Sequence, residues 1–112
     1  MGLCGWGDPL IPRFELVIFL VTPPALRMER LRARERGRYG DAIAPGGPMR
    51  AIHENFLAWA ERYDTAGHEQ RSRRLHEDWL AALTAPVVRL SGLDASEAQV
   101  EQVIAAWRAR PD

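Results

Sequence analysis

FELVIFLVTPPALRMERLRARERGRYG, residues 14–40, is the stretch whose reading decides the fold. Its first part, FELVIFLV, is an unbroken run rich in β-branched and aromatic residues. Such a run, without polar alternation, predicts a strand over 16–21 buried on both faces, as in a parallel sheet. A helix follows. Thr22 or Pro23 sits at its entry, Pro24 suits the first turn because proline presets φ and lacks only a surplus N–H, and Gly37 or Gly40 marks its exit.

Outward from this strand–helix unit the chain alternates loops and helices before a second strand. Residues 1–13, MGLCGWGDPLIPR, are rich in Gly and Pro without a period and read as loop. YGDAIAPGGP, residues 39–48, is a second loop whose glycines and prolines oppose regular structure. Its composition suits a mobile lid tip or a plain connector. In residues 49–64, Met49, Ile52, Phe56, Trp59 and Tyr63 recur at helical spacing and predict one apolar stripe. Residues 71–83 predict a helix burying Leu75, Trp79, Ala82 and Leu83, and residues 87–90 a second strand. In the closing helix, Ser96 and Gln99 have capping-box spacing, and Val100, Val103, Ile104 and Trp107 are expected to face inward.

The order β-α-α-α-β-α predicts an α/β fold with two parallel strands and four helices, layered α/β/α. It divides as loop 1–13, strand plus Arg-rich helix 14–40, lid-like loop and helices 41–84, and last strand and helix 85–112. Two strands make a marginal sheet. The pattern therefore reads as the second half of a larger domain whose first strands lie upstream, with an open apolar edge available for self-association.

Composition sets limits on function. Of 112 residues 46% are apolar and 27% charged, ordinary values for a globular protein. Fifteen acidic residues balance fifteen arginines and there is no lysine, so any anion site must be local. Net neutrality argues against a nucleic-acid coat or a membrane-surface binder. The apolar run is too short to span a bilayer, and residues 1–13 lack the basic-then-apolar pattern of a secretory leader. A lone Cys4 suits a reducing cytoplasm. His53, His68 and His76 lack metal-ligand spacing, so no zinc site is expected. Ser72 and His76 lie four apart without the elbow a nucleophilic serine needs, and Trp59, Trp79 and Trp107 are expected in the core.

Residues 26–40 carry six arginines against two glutamates. On a helix Arg27, Arg30, Arg34 and Arg38 share one stripe, while Leu26, Leu31 and Ala33 can face a sheet. Guanidinium groups bind phosphate bidentately and stack on purines, which ammonium does poorly. The plainer reading is a solvated helix in a chain that uses arginine everywhere.

Three segments in order, FELVIFLVTPPALRMERLRARERGR, RSRRLHEDW and VVRLSGLDASEAQV, together resemble the C-terminal portion of the adenylate-kinase-like P-loop kinases and ATPases of unassigned substrate. In that family a buried strand ends in a Pro-containing turn, followed by a helix with an Arg-hydrophobic-x-x-Arg pattern, here Arg30-Leu31-Arg32-Ala33-Arg34. The resemblance implies that Arg30 packs on adenine, Arg34 meets ATP phosphates, and Arg71 and Arg74 clamp the transferring phosphoryl group. It places Ser91 and Gly92 in a turn beside the adenine, and Trp6 and Asp8 near the acceptor. There Asp8 would approach Mg²⁺ or an acceptor hydroxyl, or else cap a turn. ATP and Mg²⁺ are the cofactors so implied. The chain has no G-x-x-x-x-G-K-[ST] and no lysine to build one, so the resemblance covers the clamp and not the phosphate cradle. The expected function is the lid- and base-binding half of a kinase-like phosphotransferase, not competent alone. The alternative is a non-catalytic helical interaction module or an RNA-binding Arg helix, the latter less expected because the aromatics read as buried.

Overall fold

Val17 and Val87 open two strands, β1 (Val17–Val21) and β2 (Val87–Ser91), that pair in parallel from Val17↔Val87 to Val21↔Ser91. The ladder is extended at both ends: the Val17 N–H donates to the Pro86 carbonyl at 3.0 Å, and the Gly92 N–H to that of Val21 at 2.6 Å. This computed structural model describes residues 4–111; residues 1–3 of the expected first loop, and residue 112, lie outside the described residues. The helices are α1 (Pro24–Tyr39), α2 (Arg50–Glu61), α3 (Arg73–Ala81) and α4 (Ser96–Ala109), in the predicted order. Short 3₁₀ turns at Asp8–Arg13 and Gly40–Ile43 replace irregular loop in both places where regular structure was not expected. In the first, Pro9 and Pro12 hold φ near the helical value and favour a tight turn.

The chain divides into two compact units, Met1–Thr22 with His76–Asp112, and Pro23–Leu75. In the first, α4 packs on β2, and Leu80 and Leu90 form the buried centre. The reading of β1 as buried on both faces is corrected, because Ile18 and Leu20 are exposed, Leu20 by 53%. The α4 stripe is corrected too: Val100, Ile104 and Trp107 are exposed, and only Val103 is half-buried. The cause is common to both. A sheet of two strands offers neither helix nor strand enough partner surface to cover its apolar side. Nor does the capping box form. Ala95 is the N-cap, and the Gln99 amide instead donates to the Ser91 and Asp94 carbonyls at 2.9 and 3.2 Å.

Gly92 is buried against Thr22, whose Oγ1 occupies the place a Cβ would need and whose Cα stands 3.3 Å from it. Gly92→Ala is therefore expected to destabilise the sheet-bearing unit by about 1–3 kcal/mol through overpacking. Urea unfolding measures this, and a loss no larger than that of an exposed substitution would contradict the packing.

In the unit Pro23–Leu75, Met28, Ile43, Ala60 and Ala66 are the buried apolar residues. The predicted α2 stripe is shifted: Ile52 is 64% exposed and Trp59 is exposed, while His53 and Ala60 are buried. In α1, Met28 and Glu35 are buried and Ala33 is exposed. Each buried pair is seven residues apart, two helical turns, so the α1–α2 contact joins the Met28/Glu35 face to the His53/Ala60 face. In α3, Leu80 is the buried residue, while Ala82 lies exposed beyond the helix end. Ser72, fully buried, accepts from the Leu75 N–H at 3.0 Å and donates to the Gly67 carbonyl at 2.7 Å, a capping role that precedes α3.

Candidate functional site

The arginine helix divides its cations into two groups. Arg27 is engaged: its Nη1 donates to Asp64 Oδ2 at 2.8 Å, its Nη2 to the Ala60 carbonyl at 3.3 Å, and its guanidinium lies 5.0 Å from the Tyr63 ring centre. Arg32 pairs with Glu61 at 2.8 Å. These contacts tie α1 to the C-terminal part of α2 and the turn after it. Arg30, Arg34, Arg36 and Arg38 are exposed and have no ion pair or side-chain hydrogen bond among the described residues; nor do Arg71 and Arg74.

Sequence order conceals how unevenly charge is shared. The unit Pro23–Leu75 holds eleven arginines and seven carboxylates, the other unit four arginines and eight carboxylates. Within the basic unit, Glu54, Glu61, Asp64 and Glu69 are taken by Arg50, Arg32, Arg27 and Arg62. Glu35 is buried facing His53, which leaves Glu29 and Asp41 against six unpaired arginines. A neutral chain thus carries a positive half. That is the local concentration of charge an anion site requires.

Arg34 and Arg38, one helical turn apart, border a cleft of about 260 Å³ whose wall includes Tyr39, Ile52, His53 and Phe56. On the other side of α1, Arg32 and Arg36 border a cleft of about 590 Å³ with Arg50 and His53. Arg30, Arg71 and Arg74 border neither. Between the clefts stands the buried His53–Glu35 pair, with Nδ1 3.7 Å from Oε1, beyond hydrogen-bond reach. His53 Nδ1 is left without a hydrogen-bond partner among the described residues. Spacing offered a signal for this pair, since Glu35 lies seven residues after the buried Met28.

The segment expected to act as a lid tip is stitched down. Gly47 donates its N–H to the Ala44 carbonyl at 2.8 Å, Met49 to that of Ala42 at 2.8 Å, and Arg50 Nη1 to that of Ile43 at 3.0 Å. A Cβ on Gly47 would stand 2.5 Å from the Asp41 and Ala42 carbonyl oxygens. After α2, the Gly67 N–H donates to the Glu69 carboxylate at 3.1 Å. Backbone N–H donors, first its own and then that of Gly67, hold the Glu69 carboxyl below its ordinary pKa, with Arg62 and His68 adding to the effect. A lowered folded-state pKa means that Glu69 contributes stability above the ordinary glutamate range and loses it as pH falls through the lowered value. A carbon-detected NMR titration is expected to place the Glu69 midpoint below that range; a midpoint at or above it would refute the turn.

In the other unit, the Ser91 hydroxyl accepts from the Leu93 N–H at 3.1 Å, which with buried Gly92 makes the turn after β2. Asp8 Oδ1 accepts from Trp79 Nε1 at 2.7 Å and from the Gly5 N–H at 3.2 Å, the turn-capping alternative of the sequence reading. Trp6 is exposed. Beside β1 an apolar groove of about 360 Å³ is lined by Phe14, Leu16, Phe19, His76 and Trp79 among others. Arg89, exposed on β2, is held above its ordinary pKa by its 2.6 Å bond to Glu77.

No group of three or more His, Cys, Asp or Glu placed to hold a metal occurs among the described residues, and no helix there is long and apolar enough to cross a membrane. The comparison with curated proteins found a relative, the uncharacterized protein YqaC of Bacillus subtilis (strain 168), 45% identical over 103 residues. The match takes in 92% of this chain and 58% of the relative, so the chain spans a little over half of that protein's length. Comparison with protein families found no match, and none was found among solved structures.

Proposed function

We propose that this chain is the lid- and base-binding half of an ATP-binding protein of P-loop kinase ancestry, a phosphotransferase or ATPase that needs a further segment for catalysis. What carries the reading is the set of arginines in Pro23–Leu75 left without carboxylate partners. Six exposed guanidinium groups without carboxylate partners leave bidentate donors available to an anion that arrives from outside. On this reading Arg30 stacks on the base and Arg34 meets the phosphates. Arg71 and Arg74 clamp the transferring group, and the Ser91–Gly92 turn lies beside the adenine. Trp6 and the carboxylate oxygen of Asp8 not held by Trp79 face the acceptor. Bound ATP would supply the phosphoryl group. The unpaired guanidinium groups fit its phosphates, whereas most carboxylates of that unit are paired with arginines and no three possible ligands converge among the described residues, which does not fit a Mg²⁺ site, so no step is assigned to the metal.

The matched relative is longer than this chain, which leaves room for a further segment in a fuller protein. The parallel strands with their helical connection support an α/β ancestry. Exposed Ile18, Leu20, Val100, Ile104 and Trp107 are the surface a missing strand and helix would cover. The isolated chain is therefore expected to self-associate through that surface, and light scattering giving a monomer at roughly 100 μM would contradict this. A cytoplasmic setting accords with the single cysteine. The test of the nucleotide reading is ATP affinity with and without Arg34. The RNA-binding alternative gains one observation, exposed Trp59 in the same unit as the free arginines, since an exposed ring can stack on an unpaired base.

A further inference from the structure

The cleft beside α1 combines two features that ATP clamping does not explain. Its rim carries two unpaired guanidinium groups one turn apart, Arg34 and Arg38, and its wall is apolar, formed by Ile52 and Phe56. Ile52 is the most exposed large aliphatic side chain of the unit. Buried His53 lines the same cleft, 9% exposed, with Nδ1 unpartnered among the described residues. The exposed guanidinium groups are open to an incoming anion, while the apolar wall gains from being covered.

We propose that this cleft binds a small amphipathic oxyanion, a carboxylate or phosphate monoester on an aromatic or branched apolar body. The head group is held by Arg34 and Arg38, and the body lies against Ile52 and Phe56. Two guanidinium groups one turn apart add donors and positive charge to the bidentate fork that a single arginine offers one head group. The volume of 260 Å³ is about nine times the 30 Å³ share of a water molecule in the liquid. A single ring with its head group at the rim fits that space. Arg30, assigned to the base in the nucleotide reading, does not border this cleft, so its ligand is argued separately from ATP. The inference shares only Arg34 with the nucleotide reading and stands or falls through Arg38 and Ile52.

Isothermal titration of the 112-residue chain with phenyl phosphate, benzoate, inorganic phosphate and phenol tests it. One of the two aryl oxyanions should bind about tenfold or more tightly than inorganic phosphate and than phenol, because each control lacks one half of the recognition. Arg38→Ala should weaken that binding about tenfold, and Ile52→Ser should bring it near the level of inorganic phosphate. Both positions are at the surface, so the variants should keep the fold, which circular dichroism verifies. Arg108→Ala, in the other unit, controls for general charge. Equal binding of phenyl phosphate and inorganic phosphate, or equal losses for Arg38→Ala and Arg108→Ala, would overturn the proposal. Neither result touches the ATP assignment, which is read from ATP affinity with and without Arg34, a position none of these variants changes.

Discussion

Leu90→Ala is expected to lower the stability of the sheet-bearing unit by about 2–5 kcal/mol, the largest loss from any single truncation in the chain. Leu90 is 4% exposed, and with Leu80 it supplies the buried apolar centre of that unit. Its ladder partner Leu20 is exposed. Paired positions of a parallel ladder project to the same side of the sheet, so the two leucines share chemistry and neighbourhood and differ in cover. The transfer and cavity terms both apply at Leu90, whereas at Leu20 most of the side chain is already in water. Leu20→Ala should therefore cost only a few tenths of that. Urea unfolding of the two variants measures the difference. Similar losses at both positions would mean that this side of the sheet is covered over β1 as well as over β2, and the argument for an incomplete sheet would fail.

How far the sequence reads through to this structure depends on which kind of pattern carries the information. The strands and their parallel pairing were legible because an apolar run without alternation has few other uses, and the long helical crossover between the runs excludes a hairpin. The bounds of α1 were legible from Pro24 and Gly40. Faces were not. The 49/52/56/59/63 stripe is a sound amphipathic pattern, yet the side turned to α1 is the one with His53 and Ala60, because a small residue and an imidazole fit against Met28 and Glu35. Hydrophobic periodicity assumes that a helix buries its most apolar side, and a sheet of two strands, with little surface to pack against, breaks that assumption for α4 and β1 as well. The Ser96/Gln99 spacing misled for a local reason: Ser96 is already inside the helix, so its side chain does not stand at the cap.

The site was legible in part. The surplus of arginine over residues 27–38 is plain in the sequence, but which cations stay free is not. Arg27 and Arg30 look equivalent on the stripe, and only the position of Asp64, far along the chain, separates the engaged residue from the free one. The division of charge between the units is invisible in linear order because the acidic unit is assembled from the two ends of the chain. Asp8 illustrates the opposite hazard. As a lone acid in a Gly-rich loop it suggested a ligand for metal or hydroxyl, and one of its oxygens is spent on Trp79 and Gly5.

The central claim is that the free arginines of Pro23–Leu75 await a nucleotide. Without a P-loop, most phosphate contacts are missing, so the 112-residue chain should bind ATP only in the millimolar range, near 4 kcal/mol of binding free energy by the usual conversion of about 1 mM. A charge-assisted contact to phosphate is worth about 1.5–3 kcal/mol, enough to remove most of that. The decisive measurement is an NMR titration of ATP into the wild-type chain, Arg34→Ala and Arg108→Ala at one ionic strength. Arg34 borders the α1 cleft and is unpaired, while Arg108 is an exposed arginine of the other unit with no assigned role. The Arg108→Ala control, measured at the same ionic strength, separates a specific contact from general attraction between a cation and a polyphosphate. The account predicts an affinity lowered about tenfold or more by Arg34→Ala and unchanged by Arg108→Ala. Equal affinity for ATP in the wild-type chain and Arg34→Ala would contradict it.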